Sequence, residues 1–169
     1  ICSFCELSVV KPKYIQDDTT PYFDALNKEI EMYADSFETR KKVLWFDIGG
    51  GTPSIVDTKY IWEVIDTVDR RFDLADDMRM SIETTPKIAA EEIQKMKDYY
   101  NMWIRRISMW IQSLSGKLIW RVDASAEDNI RATENIRAAG FDQFNVDVMY
   151  GFANQENDDV ARTIEHIIW

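Results

Sequence analysis

The sequence predicts an α/β fold with a mainly parallel sheet. Short apolar runs of strand length alternate with amphipathic stretches of helical period, and the runs lie far enough apart for a helix to fit between them. A parallel strand needs a crossover, usually a helix, that returns the chain to the same end of the sheet. We therefore expect a doubly wound sheet or a β/α barrel, and in both architectures ligands bind beyond the carboxyl ends of the strands.

Four runs rich in β-branched, aromatic and other apolar residues predict the strands. They are KVLWFDI at 42–48, MRMSIE at 78–83, WIRRISMWI at 103–111 and QFNVDVMY at 143–150. Polar residues or glycines stand where each run ends: Gly49–Pro53 after the first, Glu83 in the second, Gln112 after the third and Asp147 in the fourth. Because parallel strands end at the same edge of a sheet, we expect these residues to form one rim and a binding site there.

Helix starts are recognisable from capping side chains or from a proline at the first helical position. They are Thr20 with Pro21, Asp57, Thr85 with Pro86, and Ser125 with Asp128. The helix after Thr85 is predicted to hold Ile88, Ile93 and Met96 on one face. The helix after Ser125 is predicted to run to Gly140, since glycine suits the left-handed position that follows a helix.

Composition and charge limit the classes of function. The chain of 169 residues is 46% hydrophobic and 12% aromatic, which predicts one folded core and argues against disorder. A net charge of −10 repels phosphate backbones and argues against nucleic acid as a partner. No apolar run approaches the roughly 20 residues of a membrane span, and no leader pattern opens the chain. We expect a cytoplasmic protein without a membrane partner.

The only two cysteines, Cys2 and Cys5, predict metal or redox chemistry. A disulfide across so short a loop would restrict little of the unfolded chain. A thioredoxin-like pair should follow a strand and open a helix, which these cysteines do not. A zinc site needs four ligands, and the chain adds only His166, which we expect on a surface or an interface. Two interpretations of Cys2 and Cys5 therefore stay open. They ligate an iron–sulfur cluster together with an upstream cysteine, or they are two reduced thiols without a special role.

The predicted rim has both a ligand-binding and a purely structural interpretation. Consecutive glycines at 49–51 let backbone N–H groups approach a ligand, but they also suit a tight turn, and the Lys-Ser/Thr ending of a phosphate loop is absent. Glu83 and Asp147 could bind an amine or a ribose diol, and Gln112 can both donate and accept hydrogen bonds. Alternatively, the carboxylates cap helices or form salt bridges.

Motifs distributed over nearly the whole chain resemble the radical S-adenosylmethionine (radical SAM) superfamily, most of all its branch of oxygen-independent coproporphyrinogen oxidase and related proteins. Each motif is weak alone, but together, at family-like spacings, they are specific. They are CSFC at 2–5, YFDALNKEI at 22–30, GGGTPS at 49–54, SIETTP at 81–86, RIS and IQSL within 106–114, RAAGF at 137–141 and NVDVMYG at 145–151.

The resemblance implies a partial (β/α) TIM-like barrel and a radical SAM core domain over residues 1–169, truncated at both ends. Cys2 and Cys5 match the second and third members of the family motif CxxxCxxC, so the first cysteine is expected upstream of Ile1. The implied cofactors are a [4Fe–4S] cluster, which these thiolates ligate, and S-adenosyl-L-methionine (SAM), which chelates the open iron.

The same resemblance implies which residues contact SAM. Phe4 matches an aromatic residue near the adenine, and Arg121 matches an arginine on the SAM carboxylate, at a shorter spacing from Gln112 than usual. Other matches lie beside the methionine, the ribose or the rest of the nucleoside. They are Gly50, Gly51, Thr52, Glu83, Gln112 and Asp147.

The implied activity is reductive cleavage of SAM to a 5′-deoxyadenosyl radical that acts on a tetrapyrrole or another unsaturated ring, by oxidative decarboxylation or by methylation. A flavodoxin or ferredoxin would supply the electron. The alternative within the family is a haem-binding chaperone without radical catalysis. Leu7 stands where coproporphyrinogen oxidases carry a further cysteine, which argues against coproporphyrinogen as the substrate. Trp110 replaces a glycine beside Gln112 and is expected to narrow the pocket.

Overall fold

A computed structural model describes residues 19–115 and 124–168 as alternating helices and strands. The strands are Lys42–Ile48 (β1), Asp73–Thr84 (β2), Arg106–Gln112 (β3) and Phe144–Val148 (β4). The helices are Thr20–Asp35 (α1), Thr58–Arg71 (α2), Pro86–Glu91 (α3), Ile93–Asn101 (α4), Ala126–Ala138 (α5) and Asn157–Ile168 (α6). A short 3₁₀ turn, Pro53–Ile55, follows β1. The predicted site residues Cys2, Phe4, Cys5 and Arg121 lie outside the described residues.

The strands of this part of the chain form one four-stranded sheet in the order β1-β2-β3-β4. Every neighbouring pair is parallel. Each connection contains at least one helix, as the alternation of the sequence predicts, because a parallel strand can be reached only by a crossover. The α/β prediction is therefore confirmed. No helix among the described residues is both long and apolar enough to cross a bilayer.

The strands β2 and β3 begin at other residues than the sequence predicts. β1 matches its prediction, whereas β2 begins at Asp73, earlier than predicted. β3 begins at Arg106 and not at Trp103, because Trp103 has a φ of 67°. A left-handed conformation of a bulky residue cannot continue into a strand. Trp103 instead closes the turn after α4, where its N–H donates to the carbonyl of Tyr100.

The single helix predicted after Thr85 is in fact two helices, α3 and α4. The backbone leaves the helical region at Glu92, which has φ −120° and ψ 63°. A side chain of α5 stabilises the interruption: the Asn135 amide donates to the carbonyls of Ala89 and Ala90, at 2.8 and 2.9 Å. Carbonyls at a helix end need such partners. The sequence around Thr85 contains no sign of this distant contact.

Three of the four predicted helix starts have the capping bonds that the sequence predicts, whereas α1 begins at Thr20, one residue before the predicted first position, and its N-cap Thr19 makes no side-chain capping bond. The Asp57 carboxylate accepts the N–H of Lys59, and the Thr85 hydroxyl accepts the N–H of Ile88. Ser125 and Asp128 form a reciprocal capping box at the start of α5. These side chains satisfy backbone donors that the first turn of a helix leaves unpaired.

The two faces of the sheet have different compositions. One face, which we call the helix face, packs against α3, α4 and α5 through buried apolar side chains. Its most buried members are Met80, Ile82, Ile107, Met109 and Ile111. The alternate residues of the same strands form the opposite face, which we call the polar face. It includes Asp47, Ser81, Glu83, Arg106, Ser108, Asn145 and Asp147.

Candidate functional site

The predicted rim residues within the described part lie at one edge of the sheet. Gly49–Thr52 follow β1 directly, Glu83 is the penultimate residue of β2, and Gln112 is the last residue of β3. Gln112 pairs with Val148, the residue after Asp147. Since all the strands point the same way, this edge is the carboxyl edge, where ligands bind in open and closed α/β sheets.

A direct hydrogen bond joins the glycine loop to β2. The N–H of Gly50 donates to Glu83 Oε2 at 3.2 Å. The approach is so close that a Cβ placed on Gly49 would lie 2.9 Å from Glu83 Oε1. Only glycine allows a carboxylate to lie against the backbone at this distance. Gly49 therefore lets Glu83 rest against the loop.

The next two glycines turn the loop toward open space. Gly50 and Gly51 have φ values of +86° and +77°, which L side chains rarely adopt. No atom lies within 4 Å of a Cβ placed at either position. Glycine is required here by the backbone conformation, and the space beside the loop leaves backbone groups accessible to a ligand. The loop and Glu83 together form a cradle with one open side.

The Glu83 carboxylate lies in an acidic environment. Partial burial raises the pKa of Glu83. The N–H of Gly50 opposes this shift, while the negative charges of Asp147 and Asp47 add to it. Both effects that raise the pKa penalise the ionised carboxylate, so a positive group placed beside Glu83 would be favoured. The rim is electrostatically suited to a cationic ligand.

Gln112 has an unusual backbone conformation. Its φ is 62°, and the pairing of β3 with β4 shifts register between Met109 and Gln112. A bulge of this kind redirects side chains near the end of a strand. The carbonyl of Gln112 accepts the N–H of Met149 at 2.7 Å, which joins the ends of β3 and β4. A non-glycine residue held in this region is typical of functional sites.

Asp147 lies on β4 next to Asn145, the other polar-face residue of that strand. The amide nitrogen of Asn145 donates to Asp147 Oδ1 at 2.8 Å. The loop after β4 is closed by Gln155, whose Oε1 accepts the N–H groups of Gly151 and Phe152. Gln155 Nε2 also donates to the carbonyl of Met149 at 3.4 Å, so one side chain bonds to three backbone groups of this loop. Gln155 was not singled out in the sequence, because its partners are backbone groups.

Sequence reasoning also missed a charged cluster deeper on the polar face. Asp47 accepts hydrogen bonds from Ser81 and from the indole of Trp45, and it pairs with Arg106 at 3.7 Å. Strand alternation could have revealed this cluster, since Asp47 shares a face with Gly49 and Ser81 shares one with Glu83.

Trp110, which precedes Ile111 and Gln112 on β3, is half-buried.

Neither His166 nor any other group forms a metal site in the described part of the chain. His166 lies on α6 and lines an open cavity with Ile130, Arg162 and Glu165, none of which is a predicted rim residue. Among the residues that the structure describes, no three His, Cys, Asp or Glu side chains are arranged to hold a metal ion.

Comparison with known proteins identifies the family. The family described as "Radical SAM superfamily" matches residues 1–167. The chain belongs to the radical SAM superfamily. Proteins of this superfamily generally use a [4Fe–4S] cluster and SAM. The resemblance seen in the motifs is thereby confirmed at the level of the superfamily.

Curated relatives of this radical SAM protein have two different names. The heme chaperone HemW of Haemophilus influenzae is 29% identical over 99% of this chain and 46% of its own length. The oxygen-independent coproporphyrinogen III oxidase of Helicobacter pylori is 24% identical over 99% of this chain and 36% of its own length. The chain thus spans less than half the length of either relative, and the two names differ in the role that they give the domain.

A solved structure confirms the type of barrel. The chain matches coproporphyrinogen III oxidase (HemN) from Escherichia coli, described as a radical SAM enzyme, with a TM-score of 0.82 and 25% identity. The match covers 96% of this chain and 37% of that one. Archaeal Elp3 of Methanocaldococcus infernus has the same fold at a TM-score of 0.60. The prediction of a partial radical SAM barrel is confirmed.

Proposed function

We propose that the protein is a radical SAM enzyme that binds SAM at its rim and acts on a tetrapyrrole or another unsaturated ring. When bound, the [4Fe–4S] cluster supplies the electron that splits SAM into methionine and a 5′-deoxyadenosyl radical. The observation that carries the proposal is the cradle of Gly50 and Glu83. It presents a carboxylate and accessible backbone groups at the carboxyl edge of a radical SAM barrel.

The charge of the rim fits SAM better than it fits a phosphorylated nucleotide. SAM carries a positive sulfonium and a positive ammonium, and the rim carries the carboxylates of Glu83 and Asp147. An ammonium beside Glu83 would offset the penalty that burial and neighbouring charges place on the ionised form. A phosphate at the same position would add a like charge.

Each rim residue has a role in this proposal. Glu83 accepts hydrogen bonds from the ammonium, and Gly50, Gly51 and Thr52 line the methionine end of SAM. Asp147 and Gln112 orient the nucleoside, for which a carboxylate and an amide are suitable partners of hydroxyl groups.

The proposal assigns further roles to residues outside the described ranges. Cys2 and Cys5 would ligate the cluster, Phe4 would lie near the adenine, and Arg121 would bind the SAM carboxylate. Thiolates are the usual ligands of such clusters, and an arginine is suited to a carboxylate.

The substrate class is inferred from the names of the relatives, since one is a coproporphyrinogen III oxidase. We propose a tetrapyrrole or a similar flat ring, modified by oxidative decarboxylation or methylation. Leu7 replaces the further cysteine of coproporphyrinogen oxidases, so we propose a substrate other than coproporphyrinogen. A flavodoxin or ferredoxin is the proposed electron donor.

A second candidate function is haem binding and transfer without radical catalysis. The observation that favours it is the similarity to proteins named heme chaperone HemW. In this case the rim would be used for regulation or not at all.

One experiment tests both candidates. The protein is expressed from its complete coding sequence, loaded anaerobically with iron and sulfide, and incubated with SAM and dithionite. We expect 5′-deoxyadenosine, measured by liquid chromatography and mass spectrometry. A fully loaded cluster without this product would contradict the proposal. Haem titration followed by absorbance is the parallel measurement, and tight haem binding without the nucleoside product would favour the chaperone.

A further inference from the structure

We propose that Lys95 is a positioning residue that holds the glycine loop in the conformation that receives SAM. This inference rests on the proposed function, because it concerns the same loop. Lys95 belongs to α4, which no motif of the sequence connects with the site.

The contact is a hydrogen bond between a nearly buried amine and the backbone just after the loop. Lys95 Nζ donates to the carbonyl of Ser54 at 2.9 Å. The Lys95 side chain is only 11% exposed, and Ser54 is fully buried at 0%. A buried carbonyl without a partner is costly, and a charged donor makes a stronger bond than a neutral one.

The charge of Lys95 is itself neutralised in place. Glu92 Oε2 lies 3.0 Å from Lys95 Nζ, and Glu92 is the residue at which the helical backbone is interrupted between α3 and α4. The break therefore supplies a carboxylate beside the amine. The Lys95 amine therefore contacts both the Glu92 carboxylate and the Ser54 carbonyl.

A second contact from α4 reaches the same segment. Asp98, three residues after Lys95, accepts a longer hydrogen bond from Thr58 Oγ1 at 3.5 Å. Residues three apart lie on the same side of a helix. One side of α4 therefore contacts both the backbone carbonyl of Ser54 and the side chain of Thr58.

The loop is thus held by hydrogen bonds on both sides of Gly51. Gly50 is held by Glu83 at 3.2 Å, and Ser54 is held by Lys95. Between these two points, Gly51 has a left-handed conformation with nothing close to where its side chain would be. Glycines lose more conformational entropy on ordering than other residues. An anchor at Ser54 lowers the cost of ordering that SAM binding would otherwise carry.

The test compares Lys95→Met and Lys95→Arg with the control Lys97→Met, an exposed lysine on the same helix. Hydrogen exchange, measured by mass spectrometry without SAM, reports the loop directly. In Lys95→Met we expect exchange of a peptide over 49–56 to quicken about tenfold while peptides from α2 and β2 are unchanged, since one buried partner is lost. Lys95→Arg, which keeps the charge and the donors, should stay within about threefold of the wild type.

Affinity for SAM is the second measurement, made by equilibrium dialysis on the protein loaded with iron and sulfide. We expect the Kd to rise about tenfold in Lys95→Met, a difference in binding energy equal to one lost hydrogen bond. Lys95→Arg and Lys97→Met should bind as the wild type does. If Lys95→Met does not fold, Lys95→Gln replaces it, because its shorter side chain removes the contact with Ser54 but remains polar.

Two results would overturn the inference. The first is wild-type loop exchange in Lys95→Met or Lys95→Gln. The second is a uniform increase of exchange over the loop, α2 and β2, which would show that Lys95 supports the fold in general and not the loop. If the wild type itself binds no SAM, the proposed function fails, and the exchange measurements still decide whether Lys95 holds the loop.

Discussion

The two faces of one sheet differ in what their residues do. On the helix face, Ile82 and Ile107 are 0% exposed and belong to the hydrophobic core. On the polar face, Ser81 and Glu83, the chain neighbours of Ile82, form hydrogen bonds to Asp47 and to the glycine loop. Adjacent residues of β2 thus contribute in different ways: Ile82 stabilises the fold by burial, whereas Ser81 and Glu83 make polar contacts on the other face. Substitutions on the two faces should therefore affect different properties.

The largest effect should come from the helix face. Ile82→Ala removes buried methyl groups from a fully buried position and should lower the free energy of unfolding by about 2–5 kcal/mol. Urea unfolding followed by circular dichroism measures the change. Leu44→Ala is the control, because Leu44 on β1 is 64% exposed, and its effect should stay within about 0.5 kcal/mol. Equal losses in the two variants would contradict the claim that burial on the helix face stabilises the fold.

Substitutions of two glycines, Gly49 beside the polar face and Gly140 after α5, should affect different properties of the protein. A Cβ at Gly49 would press on the flexible carboxylate of Glu83, so Gly49→Ala should reduce SAM affinity about tenfold with little change in stability. A Cβ at Gly140 would lie 2.9 Å from the ring of Tyr100, at a φ of +110°. Gly140→Ala should therefore lower stability by about 1–3 kcal/mol and leave the affinity of the folded protein unchanged.

Equilibrium dialysis with labelled SAM and urea unfolding, done on both glycine variants, measure the two properties. If both glycine variants lost SAM affinity, or both lost stability, the proposed difference between the two positions would be wrong.

The smallest effect is a dependence on pH that belongs to the polar face alone. Because the pKa of Glu83 is raised by folding, the folded protein holds this proton more tightly than the unfolded chain does. The stability that the proton contributes is complete below the unfolded pKa and is lost as the pH rises through the folded pKa. The wild type should therefore lose stability relative to Glu83→Gln as the pH rises above the ordinary pKa of a glutamate and through the higher pKa of Glu83 in the folded protein.

Urea unfolding of the wild type and of Glu83→Gln at several pH values measures this difference. The buffers should share one ionic strength, since the charges of Asp47 and Asp147 contribute to the shift. A difference in stability that stays constant over the whole range would show that Glu83 titrates as an ordinary exposed carboxylate.

Much of the fold could be predicted because its signals are local. β1, the caps at Asp57 and Ser125, and the turn of the glycine loop all depend on residue types at short spacings. The shared edge of the rim follows from parallel pairing, which the alternation of strands and helices predicts.

The parts that could not be predicted depend on contacts between distant residues. The break at Glu92 is stabilised by Asn135, which lies 46 and 45 residues from the two carbonyls that it contacts. Lys95 and Ser54 are 41 residues apart. A lysine on an amphipathic helix is expected on the solvent-exposed side, so the sequence does not predict this contact. The left-handed backbone at Trp103 and Gln112 has no sequence signal either, since residues of these types rarely adopt it.

The most direct test of the account is SAM affinity in Glu83→Gln, compared with Glu63→Gln as the control. Glu63 is an exposed carboxylate on α2, away from the rim. The account predicts that the cluster-loaded wild type and Glu63→Gln bind SAM equally, and that Glu83→Gln binds at least about tenfold more weakly, because a partly buried charge partner of the ammonium is lost. Equal affinity in all three proteins, measured by equilibrium dialysis, would contradict it.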